Sequence, residues 1–198
     1  MSDRIPLISI TGPMVEKALI RSEKVAALNG SILGKPANYV GCLGEIVIES
    51  WLTLRGIYFV YEGAKKLPDY RVMYKGGEMV VEVKTKDRTV VPKRHYAATI
   101  PADQLARQHP DWFVFVSLFR PRGSQIDDPY RFTEAYIVGA FHGAEYKSKA
   151  QLLRAGDQDD GMTILKDCYN LPISYLFNAD DMVQFNAVET GKEMEEWS

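Results

Sequence analysis

The stretch that decides the fold is LPDYRVMYKGGEMVVEVKTK, residues 67–86. Two short apolar runs, 70–74 and 79–83, flank a Lys-Gly-Gly turn, and this pattern predicts a β-hairpin. Glu82 and Lys84 are two residues apart in the second strand, so both side chains project from one face. Charged groups on such an apolar strand are costly to bury unless they are paired or bind an ion.

The hairpin also brings a second carboxylate to this position. Pro68 and Asp69 open the first strand, and antiparallel pairing carries Asp69 towards Glu82 at the end of the second strand. Two carboxylates at one strand end form a hard-oxygen site suited to Mg²⁺ or Mn²⁺. Lys84 beside such an ion can position a water nucleophile or neutralise developing phosphate charge. An ordinary surface ion pair between Glu82 and Lys84 is the alternative.

The remaining elements predict a layered α/β (α+β) fold. Segment 37–55 predicts a helix because apolar residues recur at steps of three and four, and Gly56 follows them. Glu45 lies in this helix beside small and apolar residues, so we expect it to be half-buried, with a solvated glutamate as the alternative. Gly41 and Gly44 in the same helix predict a close approach to the sheet. The other predicted elements are helices at 13–28, 101–108 and 144–155 and strands at 57–61, 112–119, 132–141 and 162–169.

Segment 37–119 resembles the core of the PD-(D/E)XK nuclease superfamily. The resemblance implies a restriction-endonuclease-like fold with the order αβββαβ, in which helices flank a mixed central sheet. The similar segments are GCLGEIVIESW with Glu45, LPDYRVMY with Pro68 and Asp69, MVVEVKTK with Glu82 and Lys84, and IPADQLAR with Gln104. A glutamine at position 104 resembles some exonuclease-like branches, but the tyrosine usual four residues later is Gln108 here.

The resemblance also implies a role for each matching residue. Asp69 and Glu82 are expected to bind Mg²⁺ or Mn²⁺, and Glu45 to be an auxiliary metal ligand. Lys84 is expected to position or activate water, and Gln104 to lie at the rim of the site. These roles together imply a metal-dependent nuclease that hydrolyses phosphodiester bonds in DNA.

Several alternatives to a DNA nuclease stay open at this point. The substrate could be RNA or branched DNA, or the site could serve an enzyme acting on a small phosphate compound. A nucleic-acid-binding or assembly protein that has kept the fold without catalysis is a further alternative. Internal or end cutting and the oligomeric state are also left open, with a homodimer among the options.

A basic segment follows the predicted site. Residues 84–95 contain five bases and one acid, although the whole chain has a net charge of −2. That net charge argues against a protein that coats nucleic acid, whereas a local basic segment suits an enzyme that touches phosphates at one place. We expect the loop bases to contact DNA phosphates, with an ordinary solvated loop as the alternative; these bases are Lys86, Arg88, Lys93 and Arg94.

The chain of 198 residues is expected to form one nuclease-like domain over residues 1–177. Residues 178–198 hold six acids and one base, and we expect a partly disordered acidic tail. Cys42 and Cys168 lie far apart, which argues against a disulfide framework. No apolar run approaches the roughly 18 residues that span a bilayer, and no secretory signal is visible. A cytoplasmic protein with no membrane partner is therefore expected.

Overall fold

The computed structural model describes residues 5–25, 35–63, 68–74, 77–159 and 161–183, and these form a mixed α/β fold. Its helices and strands are, in chain order, β1 (Leu7–Ser9), α1 (Gly12–Val25), α2 (Lys35–Leu54), β2 (Tyr58–Tyr61), β3 (Tyr70–Tyr74), β4 (Gly77–Arg88), β5 (Ala97–Pro101), α3 (Ala102–Leu105), β6 (Trp112–Phe119), β7 (Glu134–His142), α4 (Gly143–Lys149), β8 (Gln151–Leu153), β9 (Gln158–Asp159), β10 (Met162–Thr163) and β11 (Cys168–Pro172). Within these ranges, no helix combines the length and the apolar character needed to cross a bilayer.

A six-stranded sheet with the order β1-β7-β6-β4-β3-β2 forms the centre of the fold. β4 and β6 are parallel, and the other neighbouring pairs are antiparallel. Parallel neighbours need a crossover connection, which β5 and α3 provide here. The predicted mixed sheet is therefore confirmed.

The two faces of this sheet bury different sets of side chains. α1 and α2 cover one face, where Val81 and Val83 of β4 belong to the main apolar core. A smaller sheet with the order β5-β11-β8 belongs to a second apolar cluster, in which aromatic side chains of β6 pack against Tyr146 of α4. Side chains alternate along a strand. Glu82 and Lys84 consequently point away from the main core.

Gly44 lets α2 approach β4 closely. A Cβ at this position would overlap the side chain of Thr85, whereas a Cβ at Gly41 meets no atom within 4 Å. The predicted close approach therefore occurs at Gly44. Glu45 follows directly, so the same glycine sets how near the Glu45 backbone lies to the sheet.

Strand β4 is longer than predicted. The prediction ended this strand at Val83 and placed a basic loop over residues 86–95. Instead, β4 continues to Arg88 and stays paired with β6 from Val81 to its last residue. The prediction was wrong because charged residues after Lys84 were interpreted as a loop, although backbone pairing with a buried neighbour overrides their low strand propensity.

Three other predicted elements differ clearly in their bounds. The helix predicted at 101–108 covers only Ala102–Leu105. The helix predicted at 144–155 ends at Lys149, because residues 151–153 pair with β11 instead. The strand predicted at 162–169 is divided into β10 and β11. Strands β1, β5, β8 and β9 were not predicted at all.

The folded part of the chain extends beyond the predicted start of the acidic tail at residue 178. Residues 179–183 are helical, and Ala179, Met182 and Val183 belong to the main apolar core. The remainder of the predicted tail, 184–198, lies outside the described residues. So do the last residues of the first predicted helix and the first two residues of the predicted hairpin turn.

Candidate active site

The site lies where β3 stops pairing with β4. Tyr70 of β3 pairs with Val81, and no further β3 residue continues the ladder. Asp69, the preceding residue, accepts a hydrogen bond at Oδ2 from the Val83 backbone N–H at 2.8 Å. The structure thus brings Asp69 beside Glu82, as predicted. The position is the middle of β4, however, and not its end.

Glu82 is held at one oxygen and left without a partner at the other. Its side chain is only 6% exposed. Oε1 accepts hydrogen bonds from Lys84 Nζ at 3.0 Å and from Gln108 Nε2 at 2.7 Å. Oε2 is buried and has no hydrogen-bond partner. An unpartnered buried carboxylate oxygen is costly in an apolar interior, so this atom marks a place where a ligand would be stabilised.

Lys84 and two glutamines complete the polar cluster around Glu82. Lys84 Nζ also donates to Gln104 Oε1 at 2.9 Å, so the predicted rim residue contacts the site directly. The backbone N–H of Gln108 donates to the Gln104 carbonyl, which continues the helical turn beyond α3. Residues four apart on a helix share one face, and both glutamines therefore face the Glu82–Lys84 pair.

Gln108 is a site residue that the sequence reasoning missed. The resemblance to the nuclease superfamily points to Gln108 only as a residue that replaces an expected tyrosine. The signal that could have identified it is its spacing of four residues from Gln104, which places two amide side chains on one helix face.

Glu45 lies in a buried polar network and not in solvent. Its side chain is 16% exposed, and Oε2 accepts from Arg21 Nη1 at 3.1 Å. Arg21 also binds Glu49 at 2.6 Å, and its guanidinium lies 3.7 Å from the centre of the Tyr61 ring. The solvated-glutamate alternative is therefore wrong for Glu45. Arg21 was not predicted, because its partners lie 24 or more residues away in sequence.

Three carboxyl groups influence one another electrostatically at this site. The pKa of Asp69 is raised well above its usual value by burial and then by the charges of Glu82 and Glu45. Burial also raises the pKa of Glu45, although the Arg21 guanidinium opposes that rise. Neighbouring carboxylates favour a cation among them because a positive charge offsets both their burial and their repulsion.

The donor set fits a hydrated divalent ion better than a metal cage formed by protein ligands alone. Within the ranges that the structure describes, no group of three or more His, Cys, Asp or Glu side chains could by itself hold a metal ion. Asp69 and the free oxygen of Glu82 supply two hard ligands, while Arg21 engages Glu45. Mg²⁺ usually keeps several waters and binds one or two carboxylates plus substrate phosphate. Asp69 and Glu82 are therefore the residues suited to hold such an ion. Glu45 is less suited to bind it directly, because Arg21 already engages its carboxylate.

The four bases expected to contact DNA occupy two different environments. Lys86 and Arg88 are partly buried strand residues whose side chains donate to the Ala97 carbonyl oxygen. Lys93 and Arg94 are exposed in the connection between β4 and β5. The solvated-loop alternative is thus wrong for the first pair.

No protein-family model and no curated protein sequence matches this chain. The functional assignment accordingly depends on the geometry of the site.

Proposed function

We propose that the protein is a divalent-metal-dependent nuclease that hydrolyses phosphodiester bonds in DNA. The observation that carries the proposal is the arrangement around Glu82. One of its oxygens is fixed by Lys84 and Gln108, the other is buried without a partner, and the Glu82 charge raises the pKa of Asp69. Two carboxylates and an ammonium meeting in this way suit the hydrolysis of a phosphate ester.

The order of elements supports a restriction-endonuclease-like core as part of this proposal. α2, β2, β3, β4, α3 and β6 follow the order αβββαβ, with β5 as an additional strand before α3. β4 and β6 are parallel neighbours, and the candidate residues come from α2, β4, the start of β3 and α3. The main departure is Gln108, which replaces the expected tyrosine but still binds Glu82.

Each residue has a defined part in the proposed reaction. A bound divalent ion would neutralise charge on the scissile phosphate and lower the pKa of a water molecule. Asp69 and Glu82 would hold that ion. Lys84 positions the attacking water and lies close to the developing phosphate charge, while Gln104 fixes the ammonium group. A cytoplasmic location is also part of the proposal, and the two free cysteines accord with it.

The test is a cleavage assay with the full chain on linear, circular and branched DNA and on RNA, each with Mg²⁺, Mn²⁺ or EDTA. We expect DNA cleavage that EDTA abolishes and that Glu82→Gln and Asp69→Asn reduce by at least about 10²-fold. Glu78→Gln is the matched control, because Glu78 lies on the same strand but is exposed. Circular dichroism and thermal melting establish that each variant is folded. Cleavage by Glu82→Gln at the wild-type rate would contradict the proposal.

A further inference from the structure

Lys86 and Arg88 are two partly buried cations that share one neutral acceptor. Lys86 Nζ donates to the Ala97 carbonyl oxygen at 3.0 Å and to Thr99 Oγ1 at 2.6 Å. Arg88 Nη2 donates to the same Ala97 oxygen at 3.2 Å, and its Nε donates to Ser117 Oγ at 3.1 Å. A shared acceptor places the two positive groups close together.

No carboxylate in the described ranges forms an ion pair with either cation. Other partly buried cations of the fold differ in this respect. Arg21 pairs with Glu45 and Lys84 pairs with Glu82. Two adjacent cations without an ion-paired carboxylate repel each other and lose hydration, so a bound anion would stabilise this position.

The pKa of Lys86 reflects its burial and the neighbouring charge of Arg88. Burial first and the charge of Arg88 second lower this pKa to about 8, against weaker opposing effects of Cys168 and Asp159. At neutral pH the ammonium group still carries its charge in most molecules. The site is therefore cationic under the conditions in which the proposed nuclease would act.

An opening beside the two cations gives an anion access to them. It lies between β4, β5 and β6 and is open to solvent, and because the enclosed space admits only about one water-sized group, an anion would meet the cations at its mouth. Its lining includes the side chains of Lys84, Lys86, Arg88, Thr99 and Ser117. The Lys86 and Arg88 cations and the Ser117 hydroxyl are suitable partners for the oxygens of a phosphate group.

Lys84 connects this opening to the proposed active site. Lys86 and Arg88 follow Lys84 by two and four residues on one face of β4, or roughly 7 and 13 Å along the strand. At about 3.4 Å of rise per nucleotide, these distances correspond to roughly two to four nucleotides of a DNA strand. A strand with its scissile phosphate at Lys84 can therefore present a neighbouring phosphate to Lys86 and Arg88.

We propose that Lys86 and Arg88 form an anion subsite that binds a DNA phosphate a few nucleotides from the bond that is cut. The identity of the ligand rests on the proposed nuclease function. The presence of an anion site rests only on the two cations and the opening. The subsite fixes the position of the strand relative to Lys84 and takes no part in the reaction itself.

The first test uses inorganic phosphate and the metal-free full chain, with ionic strength kept constant by chloride. We expect a saturable rise in melting temperature that Lys86→Gln and Arg88→Gln each reduce by more than half. Lys149→Gln, an exposed lysine of α4, is the control and should respond like the wild type. Phosphate should also shift the wild-type amide resonances of Thr99 and Ser117, a measurement that needs no variant. Unchanged resonances together with wild-type responses in both variants would overturn the inference.

The second test measures binding of a short DNA duplex by fluorescence anisotropy, without divalent ions, over a series of salt concentrations. Lys86→Gln should weaken binding about tenfold and reduce the slope of log K against log salt by about 0.9. If the wild type cuts DNA but both Gln variants bind duplex like the wild type, the subsite inference fails and the proposed function stands. If phosphate binding depends on Lys86 and Arg88 but no nucleic acid is cut, the proposed function fails and an anion site for free phosphate remains.

Discussion

Gln108 Nε2 lies 2.7 Å from Glu82 Oε1, and this hydrogen bond holds the carboxylate from the segment that follows α3. Lys84 alone would leave the Glu82 side chain free to turn about its terminal torsion, because a single ammonium contact does not define the carboxylate plane. With both donors on Oε1, Oε2 is directed away from them. The glutamine thereby determines which oxygen is presented to a ligand.

Replacing Gln108 with Leu should lower the cleavage rate more than the stability. We expect the rate of cleavage to fall about tenfold with little change in KM. The fall corresponds to a loss of about 1.4 kcal/mol in transition-state stabilisation. The free energy of unfolding should change by no more than about 1–2 kcal/mol. Gln125→Leu, an exposed loop glutamine, is the control. An unchanged rate in Gln108→Leu would show that Lys84 suffices to orient Glu82.

Lys84→Met should reduce turnover and leave DNA affinity nearly intact. The ammonium group contacts Glu82 and Gln104 inside the site, so it has few donors left for a distant phosphate. We expect cleavage to fall by about 10²-fold while anisotropy without metal gives a Kd within about threefold of the wild type. A variant that binds DNA poorly and cuts at a normal maximal rate would make Lys84 a phosphate-binding residue instead.

The two glycines of α2 should respond in opposite directions to alanine. Gly44→Ala places a methyl group against Thr85 and should reduce the free energy of unfolding by about 1–3 kcal/mol. Gly41→Ala meets no neighbouring atom and should increase it by about 1 kcal/mol through helix propensity. Urea denaturation of both variants tests this pair. Equal effects at the two positions would be incompatible with a close approach at Gly44.

The exposed bases of the β4–β5 connection should contribute to DNA affinity without sequence preference. If Lys93 and Arg94 each contact one phosphate, neutralising both should lower the salt slope by about 2 for duplex DNA. The affinity for unrelated sequences should then fall by a similar factor. Anisotropy at several salt concentrations measures the slope, and Lys149→Gln again serves as control. An unchanged slope in the double variant would place the DNA-binding surface elsewhere.

Lys86 should make the stability of the fold depend on pH in the alkaline range. Its folded pKa of about 8 lies below the usual 10.5, so the unfolded chain binds more protons between these values. Stability relative to Lys86→Met should therefore rise as pH increases from 8 to about 10, by up to about 3 kcal/mol. Below pH 8 the difference should be constant, because both states are protonated. Lys93→Met, at an exposed lysine of the β4–β5 connection, is the control variant. The groups facing Lys86 are Arg88, Cys168 and Asp159, and burial raises the pKa of the Cys168 thiol.

The parts of the site that local sequence spacing defines were predicted well. Glu82 and Lys84 share a strand face, Asp69 opens the partner strand, and Gln104 lies on the next helix, so one hairpin and one crossover bring them together. Arg21 was not found because its contact with Glu45 arises only when α1 packs on α2. Neither helix carries a pattern that specifies that pair.

The smaller sheet was missed for a related reason. Its central strand pairs Asn170 with Thr99 of β5, two segments that are far apart in sequence. Both segments are short and end in proline, at Pro101 and Pro172, which is typical of strand ends and edges. Each segment forms a strand only because it pairs with the other and packs on β6. In neither segment do apolar and polar residues alternate clearly along the sequence.

The alternation along β4 has a consequence for how this chain can vary. Met79, Val81 and Val83 belong to the apolar core, whereas Glu82, Lys84, Lys86 and Arg88 alternate with the residues on that side, and β6 fixes the register from Val81 to Arg88. Inserting or deleting one residue between Val81 and Arg88 would exchange the two faces, directing charges into the core and valines into the site. Changes of length are therefore confined to the hairpin turn before the strand and the connection after it. Glu82, Lys84, Lys86 and Arg88 therefore keep a fixed spacing along the strand. The distance between the proposed cleavage position and the proposed phosphate-binding subsite is fixed with it.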